Sequence, residues 1–254
     1  MLGHSSTTSA SFRSFSAACL VVSIALGTTI CVASPATAAG TAFGVDTAEV
    51  SDPGNCKVEA WSSRANNQTH DWLATVNPAC VIQAFTPTEV SVQITRSRFD
   101  SEWATTLSPK VKAKLVPTAI GSFGFAAAAG GTYDATADEL STVFAYIPAT
   151  LRLSEVFRIN VNAGWQRDNA GNRDFATYGL GFDWRITQTV IFTGETFGLI
   201  GDAGSVFETR PRYQAGLRYR PVDQFSLDVI YGRNINGENA DWITVGTTIR
   251  FPVK

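Results

Sequence analysis

Thr209-Arg210-Pro211-Arg212-Tyr213-Gln214-Ala215-Gly216-Leu217-Arg218-Tyr219-Arg220-Pro221 alternates strictly between two kinds of side chain. Thr209, Pro211, Tyr213, Ala215, Leu217 and Tyr219 fall on one face, and Arg210, Arg212, Gln214, Gly216, Arg218 and Arg220 on the other. Period two is the signature of an extended strand. Four arginines on one face and tyrosines with leucine on the other do not suit a soluble sandwich, whose inner face must be apolar. They suit a strand with hydrocarbon outside and water inside, as in a transmembrane β-barrel.

The same pattern recurs upstream and downstream. Phe157, Ile159, Val161, Ala163 and Trp165 alternate with Arg158, Asn160, Asn162, Gly164 and Gln166. Tyr178, Leu180, Phe182 and Trp184 alternate with Thr177, Gly179, Gly181, Asp183 and Arg185, and the last run places Ile243, Val245, Thr247, Ile249 and Phe251 outward. Read this way, the chain predicts twelve strands, at 56–65, 70–83, 89–99, 105–116, 121–134, 138–153, 157–168, 173–186, 189–200, 207–220, 225–235 and 240–251. Most are close to the ~9–11 residues that cross a bilayer at a tilt. The third, fifth and sixth alternate imperfectly, and Pro148 predicts a bulge or a register change in the sixth. Tight turns at one end and longer, more polar loops at the other, such as Asp100–Ala104, complete an all-β, antiparallel, up-and-down barrel.

Residues 1–39 read as a secretory signal peptide: Arg13, an apolar stretch Ala17–Ala33, then the small-x-small site Ala36-Thr37-Ala38. A retained signal anchor is the alternative. Residues 40–55 lack periodicity and form an N-terminal periplasmic or lumen-entering segment, and 56–254 is the barrel. Removing 39 of 254 residues leaves 215, with 19 bases against 22 acids, so the mature chain is not a generally basic nucleic-acid binder. Export, 28 aromatic residues among Phe, Trp and Tyr, and no ~20-residue apolar run place the chain in the outer membrane of a Gram-negative bacterium. Its partners there are membrane lipid and the machinery that inserts barrels, which reads a final aromatic such as Phe251. The solute and the oligomeric state are left open.

Cys56 and Cys80 remain after processing. A hairpin turn centred near residue 68 places them opposite one another, and an oxidising periplasm favours a disulfide. Two free thiols or a metal pair are the alternatives, with neither a histidine nor a third cysteine beside them.

The chain carries no constellation for catalysis, no cofactor motif and no metal-ligand spacing. His70, the one histidine outside the signal, sits in a predicted loop. What remains is inward charge. Parity turns Lys57, Lys110, Lys112, Lys114, Arg158, Arg185, Arg210, Arg212, Arg218, Arg220 and Arg250 into the lumen, against Glu59, Asp183, Glu195, Glu208 and Asp228. Eleven bases against five acids would concentrate anions and repel cations. Equally, such charges can brace the wall in ion pairs, or face water at the rim.

Asn162-Ala-Gly-Trp165-Gln-Arg, Tyr178-Gly-Leu-Gly181, Pro211-Arg-Tyr-Gln-Ala-Gly-Leu-Arg-Tyr219 and Asp241-Trp-Ile-Thr-Val-Gly-Thr-Thr-Ile-Arg-Phe251 carry a resemblance. Over residues 138–251 the chain resembles uncharacterised proteobacterial outer-membrane proteins related to the MetA-pathway phenol-degradation barrel family. Cys56-Lys-Val-Glu with Pro78-Ala-Cys80 is similar to a pair in some members. The resemblance implies uptake of small, often aromatic or hydrophobic compounds, and transfers no defined binding residues. Together these readings predict a passive channel or facilitator for small polar, anionic or aromatic solutes, with a closed structural barrel as the rival.

Overall fold

The computed structural model describes residues 42–201, 211–235 and 240–253. The expected signal peptide, Glu208 and Arg210 lie outside the described residues.

Twelve strands follow in chain order: β1 Asn55–Asn66, β2 Trp72–Gln83, β3 Pro87–Phe99, β4 Glu102–Val116, β5 Phe123–Asp134, β6 Glu139–Arg152, β7 Phe157–Asp168, β8 Arg173–Arg185, β9 Val190–Gly201, β10 Arg212–Val222, β11 Phe225–Asn234 and β12 Asp241–Pro252. Each pairs antiparallel with its chain neighbours, and β1 closes the ring on β12 with Asn55 opposite Pro252 and Asn66 opposite Asp241. Closure leaves no strand edge to satisfy, which a membrane interior demands because it offers backbone groups no water.

Side chains sort across the wall as the alternation requires. Val229 and Ile243 are 57 % exposed on the outer surface, whereas Thr244 is 2 % and Ser226 is 0 % exposed on the inner one. Leu180, Trp184, Tyr213, Leu217, Tyr219, Val245 and Phe251 also face outward. Among the buried residues polar types prevail, including Asn77, Asn160, Asn162, Gln214 and Thr150. A soluble core reverses this order. The inside-out distribution is what a lipid-facing barrel with a polar interior needs.

Two local expectations are corrected. Pro148 does not change register: β5 and β6 keep one alignment on both sides of it, and the shift occurs at Thr132/Tyr133. Pro148 lacks an N–H to give the ladder, which skips two pairs against β5 while its partner Asn162 in β7 stays aligned. Secondly, the connection after β3 is not a long loop. Phe99 pairs with Glu102, and Asp100 and Ser101 turn the chain alone with φ of 47° and 70°. Aspartate enters the left-handed region more readily than most residues, which permits this two-residue hairpin. The opposite end is less tight than expected after β4, where 117–122 connects to β5 through Gly121 at φ 79°.

Cys56 lies opposite Cys80 across β1 and β2, and the two form a disulfide. It sits beside the short-turn end, next to the 84–86 connection.

Candidate functional site

The barrel is not empty. Residues 42–50 lie across its bore and bond to the wall at many points. Glu195 of β9 accepts hydrogen bonds from the amides of Gly44 and of Val45, the latter at 3.1 Å. Gln214 of β10 donates to Ala42 O at 3.2 Å and to Glu195 at 2.6 Å. Phe43 lies under the Arg218 guanidinium, 5.3 Å from ring centroid to Cζ. Further along, Ala48 N donates to Thr150 Oγ1 at 2.9 Å, and Glu49 pairs with Arg158 at 2.5 Å. The wall makes room for this segment. A Cβ on Gly179 would stand 2.9 Å from Val45 Cγ2.

Asp46 is the centre of this contact. Its carboxylate accepts from Lys112 Nζ at 3.0 Å, Lys110 Nζ at 3.3 Å and Tyr146 Oη at 2.8 Å. With its amide turned to satisfy both groups, Asn162 donates to Asp46 O at 2.9 Å and accepts from Asp46 N at 2.7 Å. Alternation along β4 sets Lys110 and Lys112 on the same inner face, and β6 presents Tyr146 from two strands away. Tyr146 reaches inward over Gly164 of β7, where a Cβ would stand 2.4 Å from its own. Burial alone would raise the Asp46 carboxyl, but the ammonium groups of Lys110 and Lys112 overcome it and hold the group below its ordinary value.

A cavity of about 610 Å³ lies between this segment and the short-turn end. Residues of two short-turn connections, Pro117 and Thr118 of one and Ser154, Glu155 and Val156 of the other, rim it. Nine bases and eight acids line it. Many of these charges are internal braces. Arg158 bonds Asp183 at 2.7 Å, and Asp183 also accepts from Asn160 at 2.9 Å and Thr193 at 2.6 Å. Arg218 holds Asp228 at 2.7 Å, and Lys57 bridges Glu59 at 3.5 Å and Glu89 at 3.2 Å. Arg220 meets Asp223 at 3.6 Å. Lys114, Arg152, Arg185 and Arg250 line the same cavity without a salt bridge among the described residues. Arg250 Nη1 is buried with no hydrogen-bond partner there.

The parity-assigned residues therefore separate into groups. Lys110, Lys112 and Glu195 hold the inner segment. Arg158 with Asp183 and Arg218 with Asp228 form two pairs in the wall, Arg158 also reaching Glu49 of the segment, and Lys114, Arg185, Arg220 and Arg250 stand around the cavity. Arg212 is half-buried at the long-loop end of β10, away from that cavity. Four polar partners were not foreseen: Asp46, Glu49, Glu89 and Tyr146. Glu89 could have been found, because it shares parity with buried Ser91 and Gln93. Asp46 and Glu49 belong to a segment without period, so no pattern marks which way they point. With the acids of that segment included, the lining is nearly balanced rather than strongly basic.

The profile of the family named Uncharacterised conserved protein UCP029691 matches residues 28–251. The chain belongs to this family. No curated protein matches it by sequence. Among solved structures, the barrel is similar to the COG4313 outer membrane channel from Pseudomonas putida F1, with TM-score 0.60 and 11% identity, over 82% of this chain and 100% of that one. It is also similar to the KdgM porin in complex with disordered oligogalacturonate, with TM-score 0.59 and 8% identity, over 77% and 99%. The NanC porin gives TM-score 0.60 and 6% identity, over 76% and 98%. At these identities the likeness establishes one thing, that this family member has the fold of outer-membrane barrels. A relation to the MetA-pathway family is not among these findings.

Proposed function

We propose that the chain is a passive outer-membrane channel, reached by export through the periplasm, that admits small polar, anionic or aromatic solutes and favours anions. The observation that carries this reading is the cavity of about 610 Å³ with Lys114, Arg152, Arg185 and Arg250 around it, none in a salt bridge among the described residues. A cavity walled by low-dielectric protein and edged by these four cations, against the two exposed acids Asp52 and Glu155, concentrates anions ahead of the narrow part of a pore. The paired charges deeper in the wall serve stability, since a half-buried carboxylate such as Asp183 needs its guanidinium and hydroxyl partners. Porins and channels among the similar structures support transport over chemistry, and one of them holds disordered oligogalacturonate.

A closed barrel with a purely structural role has one observation in its favour: residues 42–50 lie across the bore. Liposome swelling separates the two readings. Proteoliposomes carrying the mature chain swell in small sugars and small organic anions if it is a channel. Swelling equal to that of empty vesicles, both for the mature chain and for a form lacking 42–50, supports the structural barrel.

A further inference from the structure

Three lysines and three carboxylates meet inside the barrel. Lys57, Lys110 and Lys112 stand against Glu59, Glu89 and Asp46. Five of these six belong to the wall, and Asp46 alone belongs to the inner segment. With Asp46 in place the cluster is neutral. If the segment leaves the bore, one positive charge is left over.

The loss is local. With the segment in place Lys112 is 3 % exposed and Lys110 is 7 % exposed, and its departure takes away the carboxylate that both ammonium groups contact. Lys112 also donates to Thr47 O at 3.4 Å, which departs together with Asp46. Tyr146 Oη and the Asn162 amide lose their acceptors in the same step. What is left is a set of convergent donors on β4 and β6, spaced for two oxygens of one carboxylate: Lys112 served one, and Lys110 with Tyr146 the other. An excess positive charge facing a narrow, low-dielectric bore attracts an anion, and these donors favour one with the charge and shape of a carboxylate.

We propose that Lys110, Lys112 and Tyr146 form a carboxylate-binding site on the channel wall, that Asp46 occupies it as a tethered ligand, and that a carboxylate-bearing solute displaces the segment by taking its place. This rests on the channel reading above. Eight residues separate Asp46 from the first strand residue, Asn55. A ligand on so short a tether competes at an effective concentration on the order of millimolar, so the solute must reach that range to open the bore.

Single-channel chloride currents of the full mature chain in planar bilayers, with benzoate as the probe carboxylate, test the proposal. In the unmodified protein, millimolar benzoate raises the fraction of time open. Asp46→Asn raises it about tenfold without benzoate, equivalent to about 1.4 kcal/mol. In that variant benzoate produces brief blocks of the current, which Lys112→Met added to Asp46→Asn abolishes. The proposal is overturned if benzoate leaves the unmodified protein unchanged, a measurement that needs no substitution. It is also overturned if Asp46→Asn opens no more often, or if blocks persist without Lys112. A variant lacking 42–50 separates the two levels. If it folds, by its heat-dependent gel mobility, yet passes no current, the channel reading itself fails and this site with it.

Discussion

Lys110 and Lys112 could be placed inside the barrel from the sequence, because strand parity fixes which wall face a residue takes. What they touch could not. Their partner Asp46 lies in a stretch with neither period two nor a turn signal, so its place in the bore is set by tertiary contacts alone. The same holds for Glu49 against Arg158. The residue-scale consequence is a pH dependence. Asp46 is held below the ordinary carboxylate value of ~4. A depressed folded value means its contribution is complete above that ordinary value and is lost only as pH falls through the lowered one. The groups around it are Lys110, Lys112, Tyr146 and Asn162, with Lys57 and Glu89 behind. The ratio of open fractions between Asp46→Asn and the unmodified chain is therefore constant from pH 8 to pH 5. Currents recorded across that range check this, and a ratio that shrinks towards 1 by pH 5 contradicts it.

Hairpins were the most legible elements. Twelve strands were counted from alternation and turn residues, and their bounds agree with the structure to within a few residues over the described chain. The reason is physical: a wall wetted on one face and greased on the other imposes period two over its whole height. The register of β1 on β2 followed from one turn centre, and Cys56 meets Cys80 accordingly. Irregular elements were less legible. Asp100 and Ser101 resemble a polar loop in composition, and only their backbone angles reveal a two-residue turn. The disulfide joins residues 24 apart in sequence, and in the chain-entropy account a loop of that size contributes about 3.5 kcal/mol. Cys56→Ser with Cys80→Ser lowers the barrel's unfolding free energy by about that amount, read from urea unfolding in lipid vesicles, without changing its conductance. A loss under about 1 kcal/mol, or an altered conductance, contradicts the assignment of the bridge to wall stability.

At the scale of the whole molecule, the chain folds inside out. Its apolar surface is outermost and its polar groups are enclosed, and closure of β1 on β12 leaves every strand paired. That distribution was legible from a single thirteen-residue run. The balance of charge within was not, since it depends on residues from the inner segment as well as on the wall. Bases and acids nearly cancel around the cavity. Among the described residues, those outside salt bridges are Lys114, Arg152, Arg185 and Arg250 against Asp52, Glu155 and Glu195. Glu195 is buried and bonded to the amides of Gly44 and Val45. In the proposed channel, selectivity follows this excess of cations outside ion pairs and not the total. The most direct measurement is the reversal potential of single channels formed by the mature chain under a potassium chloride gradient. The account predicts a potential displaced towards the chloride equilibrium value. A potential displaced towards the potassium value would contradict it.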